Sequence, residues 1–251
     1  MSLLFIYLYI LVLGLVLGSF YNVVGLRLTK SESIVYPPSH CPKCQKRLRV
    51  YELIPVLSYL IQRGRCRQCN EPISPVYPFF EAITGLLFVF AFYRVGFDVE
   101  LVVAWLLISL LVIITVSDWH EQIIPDRVLA FFVLVFVIIR LWLPLDPWYD
   151  AYLGAALGFG LLFVIALISR GGMGGGDIKL FGVLGLVLGI QGVLLTLMLA
   201  SLIGSFIGIA LIAFSKVKRG MPIAFGPFIA IAALVTYFYG DSLINWYWQL
   251  F

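Results

Sequence analysis

Apolar residues in this chain come in long blocks, and most of the blocks approach the length of a bilayer crossing. In order they cover 3–24, 79–96, 101–117, 128–144, 152–169, 178–191, 193–214 and 223–239. A helix needs about 20 mainly apolar residues to cross a hydrocarbon core about 30 Å thick, and in lipid a helix satisfies its own backbone polar groups. The pattern therefore predicts an all-α polytopic membrane protein with about eight transmembrane helices. One long polar interval breaks it. Three segments follow: a first transmembrane helix over 1–27, a small polar domain over 28–78, and a membrane core over 79–251.

Composition agrees and excludes the soluble classes. The chain is 62% hydrophobic and 12% charged, with a mean hydropathy of +1.05; soluble domains run near 45–50% apolar and about 25% charged. Met1 to Gly25 holds no Lys or Arg, and no small-residue cleavage site precedes Arg27, so the first block reads as a retained helix and not as a signal peptide. The net charge of +4 is a matter of topology. With the N-terminus outside, fifteen of the 17 basic residues fall at cytoplasmic connections and helix ends, Arg170, Lys216, Lys218 and Arg219 among them. Only Arg94 and Arg140 fall on the other side, as the positive-inside rule requires. The partner implied is a lipid bilayer, and nucleic-acid binding has no separate support. Gly14/Gly18, Gly154/Gly158, Gly185/Gly189 and Gly204/Gly208 repeat the four-residue spacing that lets helix backbones approach closely, which predicts packing within one bundle.

All four cysteines lie in the polar interval, as Cys41-Pro-Lys-Cys44 and Cys66-Arg-Gln-Cys69. Two such pairs suit a tetrahedral four-thiolate zinc site, with Lys43, Lys46, Arg65 and Arg67 offsetting part of its charge. Two disulfides or free thiols are the alternative, and a cytoplasmic location disfavours disulfides. A closed sulfur shell leaves no open position, so the zinc is expected to be structural. His40 adjoins Cys41 and is expected at the surface or outside the ligand set.

Acids at membrane boundaries are the costly residues. Asp118 closes the third block ahead of Trp119-His120-Glu121-Gln122-Ile123-Ile124-Pro125-Asp126. Asp177 follows the glycine-rich run Gly171-Gly172-Met173-Gly174-Gly175-Gly176 and opens the sixth. Both then lie at cytoplasmic helix ends, where two carboxyl groups can meet and share a proton. Such a pair can activate water and polarise an amide carbonyl. Intramembrane acids also serve as proton relays in transporters, so both readings stand on the residues alone. Glu121 and Asp126 lie further into the loop and are expected to be solvated. Asp118 sits at a helix C-terminus and Asp177 at an N-terminus, and this polarity puts the shared proton more often on Asp118.

At these residues the chain resembles the type IV prepilin peptidases, membrane aspartic proteases of the Gly-x-Gly-Asp class, over essentially its whole length. The resemblance is carried by Gly18-Ser19-Phe20-Tyr21-Asn22-Val23-Val24 with Arg27, the two cysteine pairs, and Tyr77-Pro78-Phe79-Phe80-Glu81. It continues through Asp118 with Ile124-Pro125-Asp126, through Gly174-Gly175-Gly176-Asp177-Ile178-Lys179-Leu180, and through Phe225-Gly226-Pro227-Phe228. Thr29 and Ile223-Ala224 depart from the pattern without touching the acid pair. The resemblance implies an inner-membrane endopeptidase with Asp118 and Asp177 as catalytic residues and a zinc-binding cytoplasmic domain. Its substrates would be prepilins or pseudopilins, cut after a glycine to release a short basic leader. It also implies N-methylation of the new N-terminus from S-adenosylmethionine. Glu81, Asn22 and Arg27 are the candidates for methyl transfer; otherwise Asn22 caps the first helix and Arg27 anchors it at the interface. A zinc-bearing membrane scaffold is the third reading, and the paired aspartates argue against it.

Overall fold

In the computed structural model, residues 3–169, 172–214 and 224–249 are described. Arg170, Gly171, Lys216, Lys218, Arg219 and Ile223 therefore lie outside the described residues. The helices are α1 (Leu3–Thr29), α2 (Leu57–Ile61), α3 (Val76–Val95), α4 (Glu100–Glu121), α5 (Asp126–Trp142), α6 (Asp150–Ile168), α7 (Gly175–Ala213) and α8 (Gly226–Trp248), with a 3-10 turn over Val50–Leu53. Among the described residues there is no sheet, only the isolated bridges His40–Arg47 and Arg65–Pro72. Six helices, α1, α3, α4, α6, α7 and α8, are long and apolar enough to cross a membrane.

Among the described residues six candidate spans stand where the pattern has eight blocks. The blocks 178–191 and 193–214 form one 39-residue element, α7, which is bent at Gly189 (φ 68°, ψ −172°). The block 128–144 is the 17-residue α5, at the lower end of the lengths that cross a membrane. The last helix runs on to Trp248, beyond the end of the apolar block at 239.

The chain divides into two compact units, Met1–Val116 and Ser117–Phe251. In the first, α1 lies along α3 with almost nothing between them. A Cβ on Gly14 would come within 2.8 Å of the Gly85 Cα, and one on Gly18 within 2.9 Å of the Glu81 Cα. The enclosed α4 completes the packing through Tyr21 Oη to Ser109 Oγ at 2.6 Å and the Trp105 indole N–H to the Phe88 carbonyl at 3.1 Å.

In the second unit α7 packs against α5, α6 and α8. Gly154 and Gly158 of α6 face Gly185, Gly189 and Phe181 of α7 so closely that an added methyl group would strike backbone atoms. Gly204 is covered by Phe225 and Phe228. The pairs Gly14/Gly18, Gly154/Gly158 and Gly185/Gly189 thus serve packing within the chain, as expected. The bend at Gly189 frees backbone groups on both sides, and two side chains meet them. Arg140, 3% exposed, donates to the carbonyls of Leu186 and Val187 at 3.1 and 2.9 Å. The Asp150 carboxylate accepts the amide of Ile190 at 3.3 Å. Unpaired backbone groups in lipid cost several kcal/mol each, so a bend capped from both sides is one the membrane tolerates.

Gly189→Ala tests this bend. Its φ lies in the left-handed region, and the new Cβ would collide with the Asp150 carboxylate. The substitution is expected to cost about 1–3 kcal/mol and to lower the thermal unfolding midpoint in detergent, whereas an unchanged midpoint would contradict the capped-bend account.

Candidate active site

Asp118 occupies the last turn of α4 and is 6% exposed. Its Oδ2 accepts the backbone N–H of Gly226 at 2.7 Å. Gly226 is the first residue of α8, followed by Pro227, and its amide is one of those a helix start leaves without an internal partner. A Cβ there would sit 2.8 Å from Asp118 Oδ2 and 3.0 Å from its Cβ. Only glycine lets α8 begin directly on this carboxylate. Its contribution was hidden in the sequence by a separation of 108 residues. The available signal was a Gly-Pro pair opening an apolar helix.

Asp177 lies in the first turn of α7, after Gly174 in extended conformation (φ −67°, ψ 135°). Gly176 lets this start settle on buried Ile124, since a Cβ would come within 2.7 Å of the Ile124 Cβ. The structure brings Asp118 and Asp177 together, near enough for their charges to act on each other. The polarity of α4 alone favours a proton on Asp118. With α8 starting at Asp118 and α7 at Asp177, both acids face a helix N-terminus and polarity no longer separates them. Glu121 stays exposed. Asp126 pairs with Lys179 at 2.7 Å in an exposed ion pair, so neither joins the aspartates.

A second polar cluster lies on the α1–α3 seam of the first unit. Glu81 is buried; its Oε2 accepts the Val56 amide at 2.7 Å, and the Ser19 side chain also bonds the carboxyl group. Val56 has φ 60° and ψ −50°, an outlying conformation for a β-branched residue, and the Glu81 bond helps hold it. Asn22, 3% exposed, donates from Nδ2 to the Tyr77 carbonyl at 3.2 Å, while its Oδ1 has no partner. Arg27 stands apart, with its guanidinium donating to the Ser33 carbonyl at 3.1 Å. The structure therefore gathers Asn22 and Glu81 but not Arg27. Ser19 and Val56 are the members whose contacts the sequence did not announce.

The cysteines converge on one point. Their four sulfurs lie within 4.8 Å of one another, with Cys41 to Cys69 at 3.7 Å and Cys44 to Cys66 at 3.9 Å. A disulfide needs about 2.05 Å. Tetrahedral thiolates about 2.3 Å from a metal lie about 3.8 Å apart, so the set fits a tetrahedral ion. Each pair sits on the same knuckle. The amide of Cys41 donates to Lys46 and that of Gln45 to Cys41, just as Cys66 donates to Glu71 and Asn70 to Cys66. Gln45 and Asn70 share positive φ, 57° and 56°. The Cys69 and Gln68 amides hold the Cys66 thiol down to about 6. At Cys69 the Glu71 amide pulls the same way, but burial and the sulfurs of Cys66, Cys44 and Cys41 outweigh it and push the thiol up to about 12. Four thiols this crowded do not all ionise without a cation among them. The His40 ring Nδ1 bonds the Pro38 carbonyl at 3.0 Å, outside the set.

Comparison with known proteins gives consistent matches. Residues 12–95 match the bacterial peptidase A24 N-terminal domain, and residues 105–209 match the type IV leader peptidase family. A protein of Bacillus subtilis (strain 168) named prepilin leader peptidase/N-methyltransferase is 44% identical over 247 residues, covering 98% of this chain and 97% of that protein. Proteins of the same name from Xanthomonas campestris pv. campestris and Legionella pneumophila are 35% and 34% identical. Those alignments cover 94% and 86% of this chain and 92% and 77% of theirs. No solved structure matches the chain.

The seam makes its own prediction. Glu81→Ala removes the acceptor of the Val56 amide, a loss of about 1–3 kcal/mol for a buried group. Amide exchange at Val56 should accelerate about 5- to 150-fold, and unchanged protection would show that Glu81 does not hold this segment.

Proposed function

The chain belongs to the type IV leader peptidase family, and from that membership we propose that it removes the leader peptide of prepilins or pseudopilins and methylates the amine so exposed. The observation that carries the reading is the meeting of Asp118 and Asp177 at the ends of two apolar helices. An ionised carboxyl group of the pair takes a proton from water as the water oxygen bonds the scissile carbonyl carbon. The other, protonated, donates to the carbonyl oxygen. The tetrahedral intermediate then breaks its C–N bond: the amine leaves with the proton taken from water, and a hydroxyl proton of the intermediate returns to the second carboxylate as the carbonyl re-forms, which restores the dyad. Gly226 contributes position, since its N–H fixes the Asp118 carboxylate. The run before Asp177 is poor in side chains and leaves room for an extended substrate backbone. A proton relay leaves the four-sulfur cluster without a use, and a scaffold leaves the acid pair without one.

The finer assignments belong to the same proposal. The protein lies in the inner membrane with its N-terminus outside, and the acid pair and residues 28–78 face the cytoplasm. The two arms of α7 and helix α5 complete eight passes, and residues 79–251 form the peptidase core. Asn22 and Glu81, an unpartnered buried acceptor and a buried carboxyl group, fit a cationic or N–H-bearing group on the methyl-transfer side. S-adenosylmethionine supplies the methyl group when bound; Asn22 Oδ1 and Glu81 would accept N–H groups and orient the amine. Arg27, turned to Ser33, serves as an interfacial anchor. The metal is structural zinc, held by Cys41, Cys44, Cys66 and Cys69 with no position open to substrate.

Two experiments test these assignments. Prepilin cleavage by the purified protein in lipid should fall about 10³-fold or more in Asp118→Asn and in Asp177→Asn. It should fall about 10²-fold in Gly226→Ala, which displaces the Asp118 carboxylate; wild-type rates in either Asn variant would defeat the dyad. Metal analysis should return one zinc per chain, falling well below that in Cys66→Ser with loss of order in the knuckles. Protein that folds normally without any metal would remove the zinc assignment.

A further inference from the structure

The stretch between α1 and α3 exposes apolar surface where no membrane-spanning helix accounts for it. Leu53, Leu57, Leu60 and Ile61 are 42%, 57%, 63% and 69% exposed. Leu57, Leu60 and Ile61 stand three and four residues apart on one face of α2. Beside them a cavity of about 600 Å³ is lined by Ile61, Arg63, Arg65, Arg67 and Asn70. An apolar stripe ending in an arginine-lined hollow is the complement of a molecule with an anionic head and an aliphatic tail.

Depth and charge say which molecule. Val56, next to the stripe, is fastened to Glu81 by a 2.7 Å hydrogen bond. Glu81 lies five residues into α3, which starts at Val76, or about 7.5 Å along its axis. At 20 residues, α3 spans about one hydrocarbon thickness. The stripe is therefore held at the depth where interfacial segments rest, about 5–10 Å into the boundary of headgroups and chains. Residues 40–72 carry seven Lys and Arg against Glu52 and Glu71, a net +5. A divalent ion with four thiolates contributes −2, so a net +3 remains. Lys43 pairs with Glu71 and Lys46 with Glu52, whereas Arg63, Arg65 and Arg67 are exposed, Arg67 with its guanidinium 5.0 Å from the Tyr51 ring centroid, and guanidinium forks suit phosphate. A basic leader peptide would be repelled here.

We propose that Leu53–Asn70 forms a binding site for an anionic phospholipid, with the phosphate among Arg63, Arg65 and Arg67 and the acyl chains along Leu57, Leu60 and Ile61. The bound lipid seats the four-cysteine module on the membrane surface. This assignment is independent of the peptidase reading, because it concerns neither aspartate.

The test uses the purified full-length chain in detergent, titrated with phosphatidylglycerol or phosphatidylcholine and read by native mass spectrometry. Phosphatidylglycerol should bind at least about 10-fold more tightly than phosphatidylcholine. The triple variant Arg63→Gln, Arg65→Gln, Arg67→Gln should lose on the order of 100-fold in phosphatidylglycerol affinity while keeping its metal. In vesicles containing phosphatidylglycerol, benzoylphenylalanine in place of Leu60 should crosslink to lipid. Equal binding of the two lipids, or an unaffected triple variant, would overturn the proposal. So would displacement of phosphatidylglycerol by inorganic phosphate alone, or crosslinks to prepilin or to a second copy in place of lipid. Should the triple variant lose its metal, the Leu60 crosslinks decide by themselves, since they are made on an otherwise native chain.

Discussion

Asp118 accepts the first amide of α8 at 2.7 Å, and much of the second unit is arranged so that this contact can form. A carboxyl group at the end of an apolar helix needs donors that water no longer supplies, and a helix start has amides that its own ladder leaves unused. Joining the two meets both needs at once. It demands that α8 begin on the side chain itself, which is why Gly226 has no room for a Cβ. Asp177 arrives by the same logic from the other direction, with Gly176 letting the start of α7 rest on Ile124.

The same constraint governs the rest of this unit. Backbone can depart from the helix only where another group takes over its hydrogen bonds, and the bend at Gly189 obeys the rule through Arg140 on one side and Asp150 on the other. Two charged side chains near the helix ends thus serve as caps. The close glycine seam between α6 and α7 holds α7 in place, and Asp177 with it. Catalytic geometry, on this account, rests on backbone contact more than on side-chain packing, as is common where lipid removes the hydrophobic drive between helices.

Much of this was legible in the sequence, and what was not shares a cause. Hydropathy gave the helical class and the polar module because both depend on local composition. The cysteine pairs gave the four-sulfur cluster, since two knuckles of one design need only a turn to meet. Asp118 and Asp177 stood out as acids at helix ends. Gly226 stands out only within Phe225-Gly226-Pro227-Phe228, with no role attached, because its partner lies 108 residues away and a Gly-Pro helix start does not by itself tell of a carboxylate. For the same reason the polarity of α4 alone is an incomplete guide to the shared proton: α8, which begins on Asp118, cannot be placed there from local sequence. Arg27 is turned to Ser33 while Ser19 reaches Glu81, a choice set by which face of α1 meets α3. Hydropathy divides α7 into two blocks near its bend at Gly189, but it detects only a break in pattern and cannot tell a loop from a capped bend.

The most direct test of the central claim uses a prepilin peptide whose scissile amide is replaced by a hydroxyl-bearing tetrahedral isostere. If Asp118 and Asp177 together stabilise the tetrahedral intermediate, the isostere should bind the wild type at least about 100-fold more tightly than the matching amide peptide, and the advantage should vanish in both Asp118→Asn and Asp177→Asn. An isostere that binds all three proteins alike would mean that the two aspartates do not face the bond that is cut.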